Sequence, residues 1–478
     1  MMTYRFAAQV TLIEQNDGAV ILKQIPLCVL RVNQACARLL KAVRDGGPVA
    51  NIPENSVLFD QLVSRGFLEQ VQTVPEAPQR YPFVSVIIPV RDRENELGRC
   101  LGSLSALDYP TERLEVIVVD DGSRDNSAGY AKKWGAKVVT SGAEGAGPAA
   151  ARNCGAAAAK GEILAFIDSD CTASKEWLRQ LVPFFDDSTL AAVGGKVAGI
   201  SQASALDRYE DVMSSLCLGE HPRLAGKGAD TFYLPSCNLL VKKDAFLDLN
   251  GFAPTMQVGE DVDLCWRMRD NGRRIAYMPG GTVFHQHRNQ LGAFMSRRFF
   301  YGTSEEVLQR LHPNRKKQMV VPPLLAGLLL VFLSIPWTGF AGVLLAGIMI
   351  VMESRGLKNK TKKMGVNLGL FQLMRARLRT LVSLWYYLSF HLVRYYLIMM
   401  IVIAILQPLF IPVLLLMLGC AVMVDFRVKK VQLPFLSFLF FYILEQISYG
   451  LGVFRGCVKG MNFRSYVVEL RRHMAEPV

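Results

Sequence analysis

Metal-ligand and disulfide spacing is what this sequence lacks. Its ten cysteines include no Cys-x-x-Cys pair, and no group of Cys and His has ligand spacing, which excludes a zinc finger or a disulfide-stapled scaffold. The first 24 residues have neither the basic start nor the apolar core of a secretory signal, so a reducing, cytosolic setting is expected for the hydrophilic part. Charge is sparse, at 20% against 51% hydrophobic residues, which excludes a disordered chain. Acidic residues are scarcest in the tail. From Asn314 onward only 5 Asp+Glu accompany 20 Lys+Arg, so this stretch carries +15 and the preceding 313 residues carry −2. A net +13 over the whole chain suggests nucleic acid at first sight. The basic residues instead flank uncharged runs, Gln318 to Met352 and Tyr395 to Val424, the arrangement of a membrane protein. Membrane lipids are therefore expected as partners, and nucleic acid is not.

The length, 478 residues, fits about three domains. Residues 1–74 read as a small α/β unit. Phe6, Ala8, Val10 and Leu12 alternate, Asp17-Gly18 marks a hairpin turn, and Val20 to Ile25 returns as a strand. A helix follows from about Asn33 with Ala35, Leu39, Leu40 and Val43 on one face, stopped by Gly46-Gly47, then a second around Val57 to Val63. Pro75, Pro78 and Pro82 stiffen a linker over 75–82. From Val84 the apolar runs VSVIIPV (84–90), LEVIVVDDGS (114–123), AKVVTS (136–141) and ILAFIDSD (163–170) alternate with helical stretches. That pattern predicts a parallel sheet with helical crossovers over 83–313, with ligands bound beyond the carboxyl ends of the strands. In the tail, 314–478, the run Gln318 to Met352 is about 52 Å long as one helix and must fold back, most naturally at Pro336-Trp337-Thr338-Gly339. Two passes there would leave Arg315-Lys316-Lys317 and the basic stretch Arg355 to Lys363 on one side, cytoplasmic by the positive-inside rule. Leu381 to Tyr396 reads as interfacial, and about four passes are expected in all.

Acidic clusters stand where the strands end: Asp120-Asp121, Asp168-x-Asp170 and, further on, Glu260-Asp261. Two carboxylates at i and i+2 leaving a buried strand can point at one site and hold a hard divalent cation. Each cluster also has a plainer reading. Asp121 can bind backbone at the strand end. Glu260 and Asp261 can complement the dipole of the helix from Val262. His285 and His287 share a face if extended, and His287 is the one expected to be a bystander. Arg297-Arg298 and the tail cations read as membrane-surface residues. Trp177, Trp266 and Tyr301 suit either sugar stacking or core packing.

Taken together and in order, SVIIPVRDR, VVDDGSRD, GPAAARNCG, FIDSD, GEDVDLCWRM and VFHQHR resemble the family 2 inverting glycosyltransferases with a GT-A fold. The resemblance implies that Asp120 pairs with the nucleotide base, with Asp121 and the strand end Pro89-Val90-Arg91 beside it, and that Arg152, in the turn after GPAAA, lies along the donor. Asp168, Ser169 and Asp170 match the DxD motif, with Asp170 the direct ligand of Mg²⁺ or Mn²⁺, Asp168 supporting, and His285 an added ligand. Asp261 is the implied base and Glu260 its positioning partner. No QxxRW-type motif follows Asp261, unlike in long-chain processive synthases.

The flanks narrow this further. VNQACARLLKAVRDGG and LFDQLVSRGFLE in the N-terminal unit resemble the PqqD-like, winged-helix peptide-carrier domains, although the stretch between Gly47 and Val57 is short for a complete one. With LGEHPRLAGKGADTFYLPSCNLLVKK, YGTSEE and ISYGLGVFRG the arrangement resembles the mycofactocin-system glycosyltransferases. That implies glucose transfer from UDP-glucose to the peptide-derived cofactor mycofactocin or a precursor, building a short β-linked glucan at the inner membrane. A transferase acting on a lipid-linked or cell-surface glycan is the alternative within the enzyme class, and a membrane docking scaffold for a peptide-maturation complex is the alternative outside it.

Overall fold

The computed structural model describes residues 2–25, 27–45, 58–59, 61–63, 65–72, 80–142, 144–228 and 230–471. The Gly46-Gly47 stop, Val57 and the linker prolines Pro75 and Pro78 lie outside the described residues.

The strand-forming runs of the central region become one eight-stranded sheet. Its order is Arg223–Ala225, Arg274–Tyr277, Leu190–Gly194, Asn238–Lys242, Ile163–Ile167, Val84–Val90, Leu114–Asp120 and Lys137–Thr140. The four strands expected from the sequence pair in parallel, Val90 opposite Asp120 and Asp120 opposite Thr140. Val84, Val86 and Ile88 face one buried layer and Ile87 the other, as a strand covered on both faces requires. Asn238–Lys242 runs antiparallel to both its neighbours, so the sheet is mixed. A second, three-stranded sheet joins Cys171–Ala173, Val283–His285 and Val197–Gly199, and it carries the segment after Asp170 across to His285. The result is the GT-A-like α/β architecture expected above, with Asp120-Asp121 and Asp168-x-Asp170 at the carboxyl ends of parallel strands, whereas Glu260-Asp261 stands at the start of a helix and not at a strand end.

Three local expectations in the N-terminal unit are corrected. The alternation from Phe6 to Leu12 is split at Gln9, whose φ of 64° turns the chain. Met2–Phe6 pairs with Leu68–Gln72, while Val10–Gln15 opens a meander with Gly18–Gln24 and Leu27–Asn33. The hairpin register Gln15 to Gly18 makes Asn16-Asp17 the turn. Asn33 caps the helix Gln34–Arg44 by accepting from Cys36 N at 2.9 Å, and its buried face is Cys36, Leu40 and Val43 rather than Ala35.

Among the described residues four helices are long and apolar enough to cross a membrane: Thr338–Lys363, Leu370–Leu406, Pro408–Val428 and Phe435–Gly460. The break in the first apolar run falls at Gly339, with φ 54° and ψ −132°. The piece before it, 323–338, has 16 residues, about 24 Å of helix against a hydrocarbon core of about 30 Å. The run therefore folds back where expected, with Leu325 and Leu328 of the first piece packed with Ala346 and Ile350 of the second. Leu381 to Tyr396 is part of the 37-residue helix Leu370–Leu406, not a separate interfacial segment. The N-terminal meander rests on the connection between the first two of these helices. Val366 is buried with Val20 and Leu22, and Gln15 Nε2 donates to Met364 O at 2.6 Å.

Candidate active site

The strand ends are tied together before any carboxylate reaches the site. After Val90 the chain turns at Asp92 (φ 52°), whose Oδ1 accepts from Arg124 N at 2.6 Å, while Asp92 N donates to Ser123 Oγ at 3.2 Å. Asp120 Oδ1 accepts from Ser123 N at 3.0 Å across Gly122, a residue at φ 77° where a side chain would be strained. Asp121 is buried and accepts from Ser141 Oγ, from Ala146 N at 2.7 Å and from Gly147 N at 3.0 Å. Its carboxylate thus holds the 141–147 loop, the backbone role weighed for it above. Pro89, Val90, Arg91 and Asp121 line the cavity described below; Asp120 is not on its wall.

Arg152 lies inside the helix Pro148–Ala158, not in a turn after it. Pro148 starts that helix, where its missing N–H costs nothing, and Gly147 before it sits at φ 91°. Arg152 is buried; its Nη1 donates to Glu260 Oε1 at 2.8 Å and its Nη2 to Asp168 Oδ1 at 2.6 Å. One guanidinium therefore joins two of the three acidic clusters. Burial alone would raise the Asp168 pKa, but the Arg152 charge and hydrogen bond hold it below the ordinary carboxylate range.

Asp170 points the other way. Arg93 Nη1 donates to its Oδ2 at 3.0 Å, and His285 Nε2 stands 3.6 Å from its Oδ1. Pairing of Cys171 with His285 across the small sheet fixes this approach. Ligand atoms of Asp170, Cys171 and His285 lie within 4.8 Å of one another. A carboxylate and an imidazole suit a divalent cation of the Mg²⁺ or Mn²⁺ kind, whereas the deeply buried Cys171 thiol is held protonated. His285 Nδ1 is buried and has no hydrogen-bond partner among the described residues. Asp170 and His285 thus fit a metal ion. The His287 ring centroid lies 5.3 Å from that of His285, and burial followed by the His285 charge pushes its pKa down to about 4. His287 is a neutral neighbour.

Glu260 and Asp261 open the helix Glu260–Asp270 after Gly259, a left-handed residue at φ 82°. Asp261 Oδ2 accepts from Ser236 N at 3.1 Å and Oδ1 from Val262 N at 2.8 Å. Despite those bonds its pKa is raised to about 7, first by burial and then by the Glu260 charge. A carboxyl group that exchanges its proton near neutrality is what a general base needs.

These groups share one cavity of about 1780 Å³, lined by Arg93, Arg152, Asp168, Ser169, Asp170, Glu260, Asp261 and His285. It continues past Arg297, Tyr301 and Lys317 to Leu384, Phe390 and Tyr395 on the long apolar helix. Arg297 and Arg298, expected at a membrane surface, both line this cavity. Arg298 is buried there against Glu210, while Arg297 is exposed. Arg315 is likewise internal, donating to Asp270 and to Gly228 O and Asp230 O. Trp177 belongs to the core, its Nε1 donating to Asn238 Oδ1 at 2.8 Å, whereas Trp266 and Tyr301 reach the cavity wall. Arg93 and Ser236 were missed; Arg93 could have been found from its place in the SVIIPVRDR motif, while Ser236 has no signal in the sequence.

Residues 85–249 match the family model described as glycosyl transferase family 2. The chain is 34% identical over 313 residues to the pre-mycofactocin glycosyltransferase of Mycobacterium tuberculosis, a match covering 64% of this chain and 63% of that protein. It thus spans under two thirds of that relative's length. It is 29% identical over 232 residues to glycosyltransferase AglE of Haloferax volcanii, covering 47% of this chain and 73% of that one. Among solved structures, the mannosyltransferase PcManGT from Pyrobaculum calidifontis, in complex with GDP-Man and Mn²⁺, aligns at a TM-score of 0.41 and 18% identity over 69% of this chain and 92% of that one.

Proposed function

We propose that this chain, which carries a glycosyl transferase family 2 domain over residues 85–249, is a membrane-attached, inverting glucosyltransferase that uses UDP-glucose and a divalent cation. The observation that carries the reading is the meeting of Asp168, Asp170 and Asp261 on one cavity wall, with Arg152 bridging Asp168 to Glu260. The acceptor we propose is mycofactocin or its peptide-derived precursor, extended as a short β-linked glucan. Supporting it are the 34% identity to the mycobacterial relative and the absence of a QxxRW-type motif after Asp261.

In this mechanism Asp261 takes the proton of the acceptor hydroxyl as its oxygen bonds to the anomeric carbon. The bond from that carbon to the diphosphate oxygen breaks in the same displacement, UDP leaves with the bonding pair, and the anomeric configuration inverts. Burial beside Glu260 keeps Asp261 basic enough to accept that proton. Asp170 and His285 would hold the cation, which when bound stabilises negative charge on the leaving diphosphate. Arg152 keeps Asp168 ionised and fixes Glu260. Asp120 and Asp121 shape the nucleotide end by holding the 120–123 turn and the 141–147 loop.

The domain limits proposed are 1–74 for a PqqD-like cap or carrier unit, 75–82 for a linker, 83–313 for the transferase and 314–478 for the membrane region. An inner-membrane location with the transferase in the cytoplasm is supported by Lys358, Lys360, Lys362, Lys363, Arg375, Arg377 and Arg379. They flank the connection on which the N-terminal unit rests. A second reading, transfer to a lipid-linked glycan, is favoured by the cavity's reach to Leu384 and Phe390 on a membrane-length helix. Full-length protein supplied with UDP-glucose, Mn²⁺ and either the peptide-derived aglycone or a polyprenyl-linked sugar separates the two. Glucose appearing only on the lipid would reject the mycofactocin assignment.

A further inference from the structure

Asp261 accepts hydrogen bonds from two stretches of chain: Val262 N of its own helix, Glu260–Asp270, and Ser236 N at the end of residues 230–236. The carboxylate keeps one position only while those stretches keep theirs relative to each other. Leu264, Cys265 and Met268 pack the helix on the sheet, and apolar burial is non-directional. The directional contacts lie on another face, shared by Asp263, Trp266 and Asp270 at three- and four-residue spacing.

That face meets residues 312–316, which join the helix Leu291–Leu311 to the strand Lys317–Val320. His312 Nε2 lies 2.9 Å from Asp263 Oδ1, and the His312 ring stands edge to face with Trp266 at 5.1 Å. Arg315 is buried. Its Nη2 donates to Asp270 Oδ1 at 2.5 Å and to Trp266 O at 3.4 Å, and its Nη1 to Gly228 O at 2.8 Å and Asp230 O at 2.7 Å. Both terminal nitrogens are thereby taken by protein oxygens, and one planar guanidinium spans the base helix and the stretch that ends on Ser236 N. Arg269 ties the same two from within the helix, donating to Asp230 O at 3.1 Å and to Phe232 O at 3.2 Å; Arg315 ties them from outside. Its own support comes from the membrane side. Lys317 Nζ donates to Glu305 Oε2 and Ser465 O, each at 2.6 Å, and Lys317–Val320 pairs in parallel with Val468–Arg471. The helix Leu291–Leu311 lies against the membrane-length helix Phe435–Gly460, where a Cβ on Gly452 would fall 2.0 Å from Phe299 O.

We infer that Arg315 is a positioning residue for the general base: it holds the helix that carries Asp261 against residues 230–236, so that Ser236 N stays bonded to the Asp261 carboxylate. This rests on the reading of Asp261 as the base. Arg315 acts through the helix and the 230–236 stretch and touches no reacting atom. The Ser236 bond favours the charged form of Asp261 and lowers its pKa against burial and the Glu260 charge. A loosened 230–236 stretch gives up that stabilisation, so the Asp261 pKa rises and the acidic limb of kcat/KM moves to higher pH. Glu260, Arg152, Tyr233 and Cys265 also act on this carboxylate, and the variants below leave all four in place.

The test is the pH dependence of UDP release by the full-length, membrane-reconstituted protein given UDP-glucose, Mn²⁺ and the peptide-derived aglycone. Arg315→Lys keeps the charge but puts a point donor where the fork was. It is expected to lower kcat about tenfold, to move the acidic limb up by about half a pH unit, and to leave the KM for UDP-glucose within about twofold. Asp270→Asn weakens the same tie at an exposed side chain and is expected to move the limb in the same direction. A fall in kcat with an unmoved limb in both variants marks general loosening and overturns the positioning role. So does an unchanged kcat with an unmoved limb, or a limb moved to lower pH. If Arg315→Lys does not fold, the shift in Asp270→Asn decides alone. Retained turnover in Asp261→Asn overturns the base assignment and this inference with it, whereas unaltered protein that releases no UDP overturns the transferase reading.

Discussion

Replacing Asp261 with Asn keeps the shape of the side chain and removes its ability to take a proton. One of the two carboxylate oxygens becomes an NH₂ group, so either Ser236 N or Val262 N loses an acceptor, at about 1–3 kcal/mol of local stability. The catalytic cost is larger. A positioned general base is worth about 10²–10⁴ in rate, or roughly 3–5 kcal/mol of barrier. The Asp261 pKa of about 7 adds a signature in pH. The base form is populated above that pKa, so log kcat/KM is expected to rise with unit slope below pH 7 and to level off above it. Glu260→Gln removes a charge that raises the Asp261 pKa and frees part of Arg152, which lowers it. Both changes move the acidic limb to lower pH, by about one unit, or ~1.4 kcal/mol. Initial rates of UDP release between pH 5 and 9 measure all of this. Asp261→Asn turning over at more than a tenth of the normal rate, or a Glu260→Gln limb displaced to higher pH, would refute the base assignment.

Chelation is expected to stop turnover, and His285→Ala to raise the Mn²⁺ concentration for half-maximal rate at least tenfold; an unchanged Mn²⁺ titration removes His285 from the metal site. Gly452→Val forces a side chain into Phe299 O, an overpacking expected to cost ~1–3 kcal/mol or more and to lower the melting temperature. A variant as stable as the unaltered protein would show that the two helices do not touch there. Asp121→Ala leaves Ala146 N and Gly147 N without their acceptor, so the KM for the sugar nucleotide is expected to rise with little change in kcat. A fall in kcat alone would place Asp121 at the chemistry instead.

Strand positions were legible where burial on both faces leaves one physical option: VSVIIPV is the strand Val84–Val90, residue for residue. The acidic clusters were legible for a related reason, since charges at the end of a buried strand need a partner or a ligand. Partner choice was not legible. Nothing near Arg152 in sequence says that it spans from Asp168 to Glu260, because those contacts cross 16 and 108 residues. Arg297-Arg298 looked like a membrane-surface pair because it lies just before a basic, apolar tail. Both line the cavity instead, with Arg298 buried between Glu210 and Glu445. The turn at Gln9 was hidden likewise, since hydropathy does not report where a backbone reverses.

The carboxylates of this cavity are proposed to transfer a sugar from a nucleotide donor. The most direct test is UDP release by the purified full-length protein given UDP-glucose, Mn²⁺ and the peptide-derived aglycone, with the product identified by mass. Acceptor-dependent UDP release and a product heavier by one hexose in β linkage are expected, both lost in Asp261→Asn. UDP release no greater than without acceptor, or a product of α configuration, would contradict that proposal.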